Sequence, residues 1–206
     1  MKVKGEQQRR YAVLLTRRDS DSEYVKKVYG GWFNLYVATY GEEGDRWDLF
    51  RVVDGEFPDM NDLINYDGFV IGGSPYDAYG NDAWIVKLCF LLHTLDAMSK
   101  KLLVICFGSV QGIGRKDWEG IHSGWDVTIR KTKRGWVEIF TIGNHILGIQ
   151  GHPEYSNGML NILIDLLNNG SMERGFAENA KLRLQKAEPA DRKCWEKICR
   201  NFLKGN

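Results

Sequence analysis

The chain has 206 residues, enough to bury one full hydrophobic core, and residues 1–206 are read as a single domain. Its 28 Lys and Arg stand against 27 Asp and Glu, so no charge excess draws it to phosphate backbones or anionic lipid, and neither nucleic acid nor membrane is expected as a partner. The apolar run at 11–15 is too short for a signal-peptide core, and the most apolar stretch, 84–107, is broken by Lys87, His93, Asp96, Lys100 and Lys101; the expected compartment is the cytosol. Cys89, Cys106, Cys194 and Cys199 have neither zinc-type spacing nor the density of a disulfide scaffold, which leaves at least one thiol free for chemistry.

In chain order, 11–16 is a short apolar run ended by charge, and 22–28 has helical spacing and stops at Gly30-Gly31: strand, then helix. Residues 32–40 and 48–53 are rich in aromatic and β-branched residues and are divided by Gly41-Glu42-Glu43-Gly44, so both read as strands. A buried strand follows at 68–71, and from Asp82 the positions Ile85, Leu88, Cys89, Leu92 and Leu95 recur at helix spacing before 102–105 returns to strand. Residues 136–142 and 145–149 flank Gly143-Asn144, a pair suited to a tight hairpin turn. The tail reads as helices at 159–168, 172–186 and 191–203, with Pro189 near the start of the last. This alternation predicts an α/β fold with a mainly parallel sheet covered by helices on both faces, and such sheets gather their sites where strands end and helices begin.

Two strand ends carry chemistry. Residues 102–105 run straight into Cys106-Phe107-Gly108, the form of a strand-to-helix elbow that holds a nucleophile on a sharp turn. There the Phe107 N–H would face a developing oxyanion, and the positive end of the following helix would favour thiolate. Cys106 taken alone equally suits a small core residue at a strand end. The second strand, 147–149, leads through Gln150-Gly151 to His152-Pro153-Glu154, where His152 can accept the thiol proton and Glu154 can hold its other nitrogen. Cys106, His152 and Glu154 thus form a candidate catalytic triad, whereas His93, His122 and His145 lack such company and read as surface or core.

With Ile105-Cys106-Phe107-Gly108 and Gln150-Gly151-His152-Pro153-Glu154 in hand, the chain resembles the class I glutamine amidotransferase fold, with its flavodoxin-like core, and within it the plant γ-glutamyl peptidases. The segments 23–31, 66–71, 123–126 and 191–196 agree with that subgroup, so the resemblance covers nearly the whole chain. It implies hydrolysis of γ-glutamyl bonds in small molecules of the glutathione-conjugate type, with no metal or organic cofactor, and it implies a second oxyanion donor at Gly73 in Gly72-Gly73-Ser74-Pro75.

The sequence departs from the family pattern at two places. Val104 stands where the family has glycine, and Ser109-Val110 where it has His-Gln; a β-branched residue there is expected to crowd the elbow. After 127–131 the family continues through a block of strands, but here Arg134-Gly135-Trp136 leads almost directly into the penultimate strand, so the fold is expected to be truncated in the middle. Two further readings therefore stay open: a catalytically impaired binding or regulatory protein on the same fold, and a glutaminase subunit feeding ammonia to a separate synthetase. The oligomeric state is not readable.

Overall fold

The computed structural model describes residues 8–77, 80–106, 127–131, 137–168, 175–187 and 191–205. Among these, seven strands form one sheet in the order β2-β1-β3-β4-β7-β6-β5. The strands are β1 (Arg10–Leu14), β2 (Arg46–Phe50), β3 (Gly68–Ile71), β4 (Lys101–Ile105), β5 (Val127–Lys131), β6 (Val137–Ile142) and β7 (Ile146–Ile149). β2, β1, β3, β4 and β7 run parallel, and β6 and β5 close that edge as antiparallel strands. The expected hairpin joins β6 to β7, with Gly143 at φ 52 supplying the left-handed turn residue.

The helices are α1 (Glu23–Tyr29), α2 (Trp32–Tyr40), α3 (Ala83–Ala97), α4 (Asn157–Asn168), α5 (Phe176–Lys186) and α6 (Arg192–Lys204). Side chains alternate along each strand, so the sheet feeds two cores. Ala12, Leu14, Phe69, Ile71, Leu102 and Val104 meet Leu88, Leu91, Leu92 and Leu95 of α3 on one face. On the other, Tyr11, Val13, Val70, Leu103 and Ile105 meet residues of α1, α2, α4 and α6. The expectation of helices on both faces is met. Among the described residues, no helix is long and apolar enough to cross a membrane.

One expectation is overturned. Residues 32–40 are a helix and not a strand, because Trp32, Leu35, Tyr36, Thr39 and Tyr40 are the buried positions, and these recur at the i, i+3, i+4 spacing of a helical stripe. Asp19 accepts from the Trp32 N–H at 2.8 Å and so satisfies an orphan donor at the helix start. The strand expected at 48–53 is shifted: β2 ends at Phe50 and a short 3₁₀ turn, Val52–Asp54, follows. In the tail, the first half-turn expected at 172–174 and Pro189 lie outside the described residues.

Candidate active site

The four candidate positions that the structure describes sit at the carboxyl ends of adjacent parallel strands. Gly73 follows β3, Cys106 follows β4 and His152 follows β7, with Glu154 two residues on. The Cys106 N–H donates to the Ile149 carbonyl at 2.8 Å, which ties the turn after β4 to the end of β7. Cys106 has φ 74, a left-handed conformation that costs a non-glycine residue of order 1–3 kcal/mol. Such strain at a polar strand end is the backbone signature expected of a nucleophile elbow.

Val104 does not crowd that turn. It is fully buried in regular strand, pairs across the ladder with Ile71 and Gly148, and packs in the α3-side core, on the face opposite to Leu103 and Ile105. Its neighbour Gly148 carries no side chain, and the Phe140 ring fills that place, since a Cβ there would come within 1.9 Å of it. The strain lies at Cys106 itself. Phe107, Ser109 and Val110 lie outside the described residues.

His152 hydrogen-bonds with the Cys106 side chain on one side. Its Nδ1 lies 2.7 Å from Oε1 of Glu154, which is completely buried. Burial alone would discharge the imidazole, but the hydrogen bonds to Cys106 and Glu154 and their negative charge outweigh it and raise the pKa to about 9. Gly73 fits between the two reacting groups. A Cβ on it would fall 2.9 Å from Cε1 of His152 and 3.0 Å from Cβ of Cys106, so a side chain at this position would push the pair apart.

A ring of groups not anticipated from the sequence holds this arrangement. Tyr40 on α2 donates to Oε2 of Glu154 at 3.2 Å, and burial keeps its phenol protonated far above neutral pH, so it remains a donor. Tyr36, one turn earlier, places its hydroxyl where a Cβ on Gly72 would be, within 2.2 Å, and so fixes how closely α2 approaches the loop after β3. The Thr16 hydroxyl donates to the Gly72 carbonyl at 3.0 Å, and Ser74 donates back to the Thr16 carbonyl at 3.1 Å. The Tyr155 ring stacks on the His152 imidazole, with centroids 4.0 Å apart and planes 9° from parallel. Arg17 donates to the Tyr155 hydroxyl at 3.2 Å and lies over the Trp32 ring at 4.1 Å. From the far end of the chain, Arg192 on α6 donates to the Pro153 carbonyl at 2.9 Å. Helical periodicity in 32–40 was the available signal for the two tyrosines; the rest are long-range contacts.

The other thiols are placed differently. Cys199 is fully buried, and burial followed by the Glu154 charge pushes its thiol to about 12. Cys194 is exposed and Cys89 half-buried on α3. His145 pairs with Asp96 at 2.8 Å, and His122 lies outside the described residues.

Comparison with known proteins follows the same lines. No family model matches the chain. It is 45% identical to γ-glutamyl peptidase 3 of Arabidopsis thaliana, over 97% of this chain and 98% of that protein, and 44% identical to γ-glutamyl peptidase 5 of the same plant, over 97% of each. The first alignment runs over 249 positions against 206 residues here, so at least 43 positions of that relative have no counterpart in this chain. A crystal structure of a glutamine amidotransferase from Thermotoga maritima superposes with a TM-score of 0.57 at 13% identity, over 97% of this chain and 98% of that one. A glutamine amidotransferase from Methylobacillus flagellatus gives 0.59 at 10% identity, over 96% and 94%. At such identities these two structures speak for the fold.

Proposed function

Since the chain belongs to the γ-glutamyl peptidase family and carries the class I glutamine amidotransferase fold, we propose that it is a cysteine hydrolase of γ-glutamyl bonds in small peptides of the glutathione type. The observation that carries this reading is the line Cys106, His152, Glu154, Tyr40, in which a strained thiol meets an imidazole whose charge is supported by a buried carboxylate. His152 takes the Cys106 proton, and the thiolate sulfur forms a bond to the γ-carbonyl carbon. The resulting oxyanion is received by the N–H groups of Gly73 and Phe107. The C–N bond then breaks, and His152 returns the proton to the leaving amine. In the second half, His152 removes a proton from water, the hydroxide displaces Cys106 from the acyl carbon, and glutamate leaves. Glu154 holds the imidazole in place and stabilises its charge throughout.

Release of glutamate from glutathione and from glutamine by the purified chain tests this reading. Turnover of glutathione is expected; absence of turnover on every γ-glutamyl compound would overturn it. A second reading, a family member that binds γ-glutamyl compounds without cleaving them, draws on the at least 43 relative positions missing here. Binding of glutathione without glutamate release is the outcome that would favour it.

A further inference from the structure

A cavity of about 180 Å³ opens beside the site, between the loop after β1, the start of α1, α2 and α4. Its lining is largely apolar, made by Trp32, Met159, Ile162, Leu163 and Leu166, and Arg17, whose guanidinium lies over the Trp32 ring, lines it as well. Two links join the cavity to the reacting groups. Pro75 on its rim is two residues past Gly73, and Arg17 bonds the hydroxyl of Tyr155, whose ring lies on His152. Arg17 is only partly spent by these contacts: among the described residues, its buried Nε has no hydrogen-bond partner. Asp21, also on the lining, is already engaged by the Arg18 N–H at 2.9 Å.

Resting on the reading of the site given above, we propose that this cavity is the leaving-group subsite and that Arg17 is its carboxylate anchor, selecting γ-glutamyl peptides whose leaving part has an apolar side chain and a free carboxylate. Proton traffic decides on which side the leaving group lies. His152 must deliver a proton to the departing amine, so the leaving group occupies the His152 side of the scissile carbonyl, where the Tyr155–Arg17 link leads. Composition decides what fits. The γ-glutamyl group ends in a zwitterionic head on two methylenes and would leave the five apolar wall residues unused, whereas a leucine-like leaving group covers them and presents its carboxylate to the free donors of Arg17.

The test compares γ-glutamyl-leucine with γ-glutamyl-leucinamide, which differ only in the anchored charge. The wild-type chain is expected to favour the acid. Arg17→Gln lowers kcat/KM for the acid by about tenfold to a hundredfold, mainly through KM, and brings the acid-to-amide ratio close to one. Arg17→Lys restores part of that ratio. Leu166 is 55% exposed and tolerates change, so Leu166→Glu should fold and, by repelling the same carboxylate, depress the ratio as well. A wild-type ratio of one, or an Arg17→Gln loss that falls equally on kcat for both compounds, overturns the anchor while γ-glutamyl hydrolysis stands. If the wild-type chain cleaves neither compound and Cys106→Ser binds neither by calorimetry, the hydrolase reading fails and the anchor falls with it.

Discussion

The two ends of the parallel strands both carry buried charge, but they use it in opposite ways. At the amino ends, Arg10 bonds Asp48 at 2.7 Å, Asp62 at 2.9 Å and the Tyr66 hydroxyl at 2.9 Å, and its guanidinium covers the Tyr66 ring at 4.1 Å. Tyr66 in turn donates to Asp48 at 2.8 Å, and Lys204 near the end of α6 is pinned by Asp45 over the Tyr11 ring. These contacts close among themselves and lash β1, β2, the approach to β3 and the end of α6 together. At the carboxyl ends the chain of contacts stays open: Tyr40, Glu154 and His152 lead to a half-buried thiol, and Tyr155 and Arg17 lead to a cavity. A closed network can only hold the fold, whereas an open one delivers polarity to something that comes and goes.

Breaking the open network should cost activity first, and the largest effect is expected at His152. His152→Ala removes the proton carrier and should lower kcat/KM of glutathione hydrolysis by about 10²- to 10⁴-fold, while Glu154→Gln, which keeps the hydrogen-bonding shape and loses only the charge, should cost less. Steady-state rates on folded variants give the ranking; a more severe loss in Glu154→Gln would exchange the two roles.

The pH dependence sharpens the same point. His152 is raised from 6.5 to about 9, so the imidazole keeps its proton through neutral pH and loses it as pH rises through 9, where the alkaline limb of kcat/KM is expected. The stability linked to that proton has the same sign: complete below pH 6.5, gone above pH 9. Glu154→Gln should move the alkaline limb to lower pH, since the carboxylate is one of the groups holding the proton on. An unmoved limb would detach Glu154 from the imidazole.

The closed network should answer in the other currency. Arg10→Ala is expected to lower Tm by about 5 °C and to leave kcat/KM within about twofold, because among the described residues no contact of Arg10 reaches the carboxyl ends of the strands. A calorimetric scan alongside the hydrolysis assay separates the two; a large kcat change would join the two ends. Within the open network the smallest effect belongs to Tyr40→Phe, which takes one neutral donor from Glu154 and should cost a fewfold in kcat.

These contrasts also explain what the sequence disclosed. Cys106 and His152-Pro153-Glu154 were legible because each is a local pattern, an apolar run ending in a small residue and a reactive group, and the fold brings them together as the alternation of strands and helices requires. Helix α2 was misread because aromatic and β-branched composition was weighed above period, and with it went the donor that Tyr40 sends 114 residues along the chain to Glu154. The Arg17–Tyr155 bond spans 138 residues and has no local signature at all. Val104 looked obstructive because the sequence does not show its strand partner; in the sheet it faces Gly148, where the neighbouring strand has no side chain to oppose it. Gly73 could be named from resemblance alone, and only the packing shows that nothing larger fits between His152 and Cys106.

The central claim is that Cys106 forms a γ-glutamyl thioester. Mass spectrometry of the chain quenched in acid during turnover of glutathione, followed by peptide mapping, tests this most directly. The account predicts a glutamyl adduct on the peptide holding Cys106, absent from Cys106→Ser, which should fold normally and release no glutamate. Turnover by Cys106→Ser at the wild-type rate, with no adduct in either protein, would contradict it.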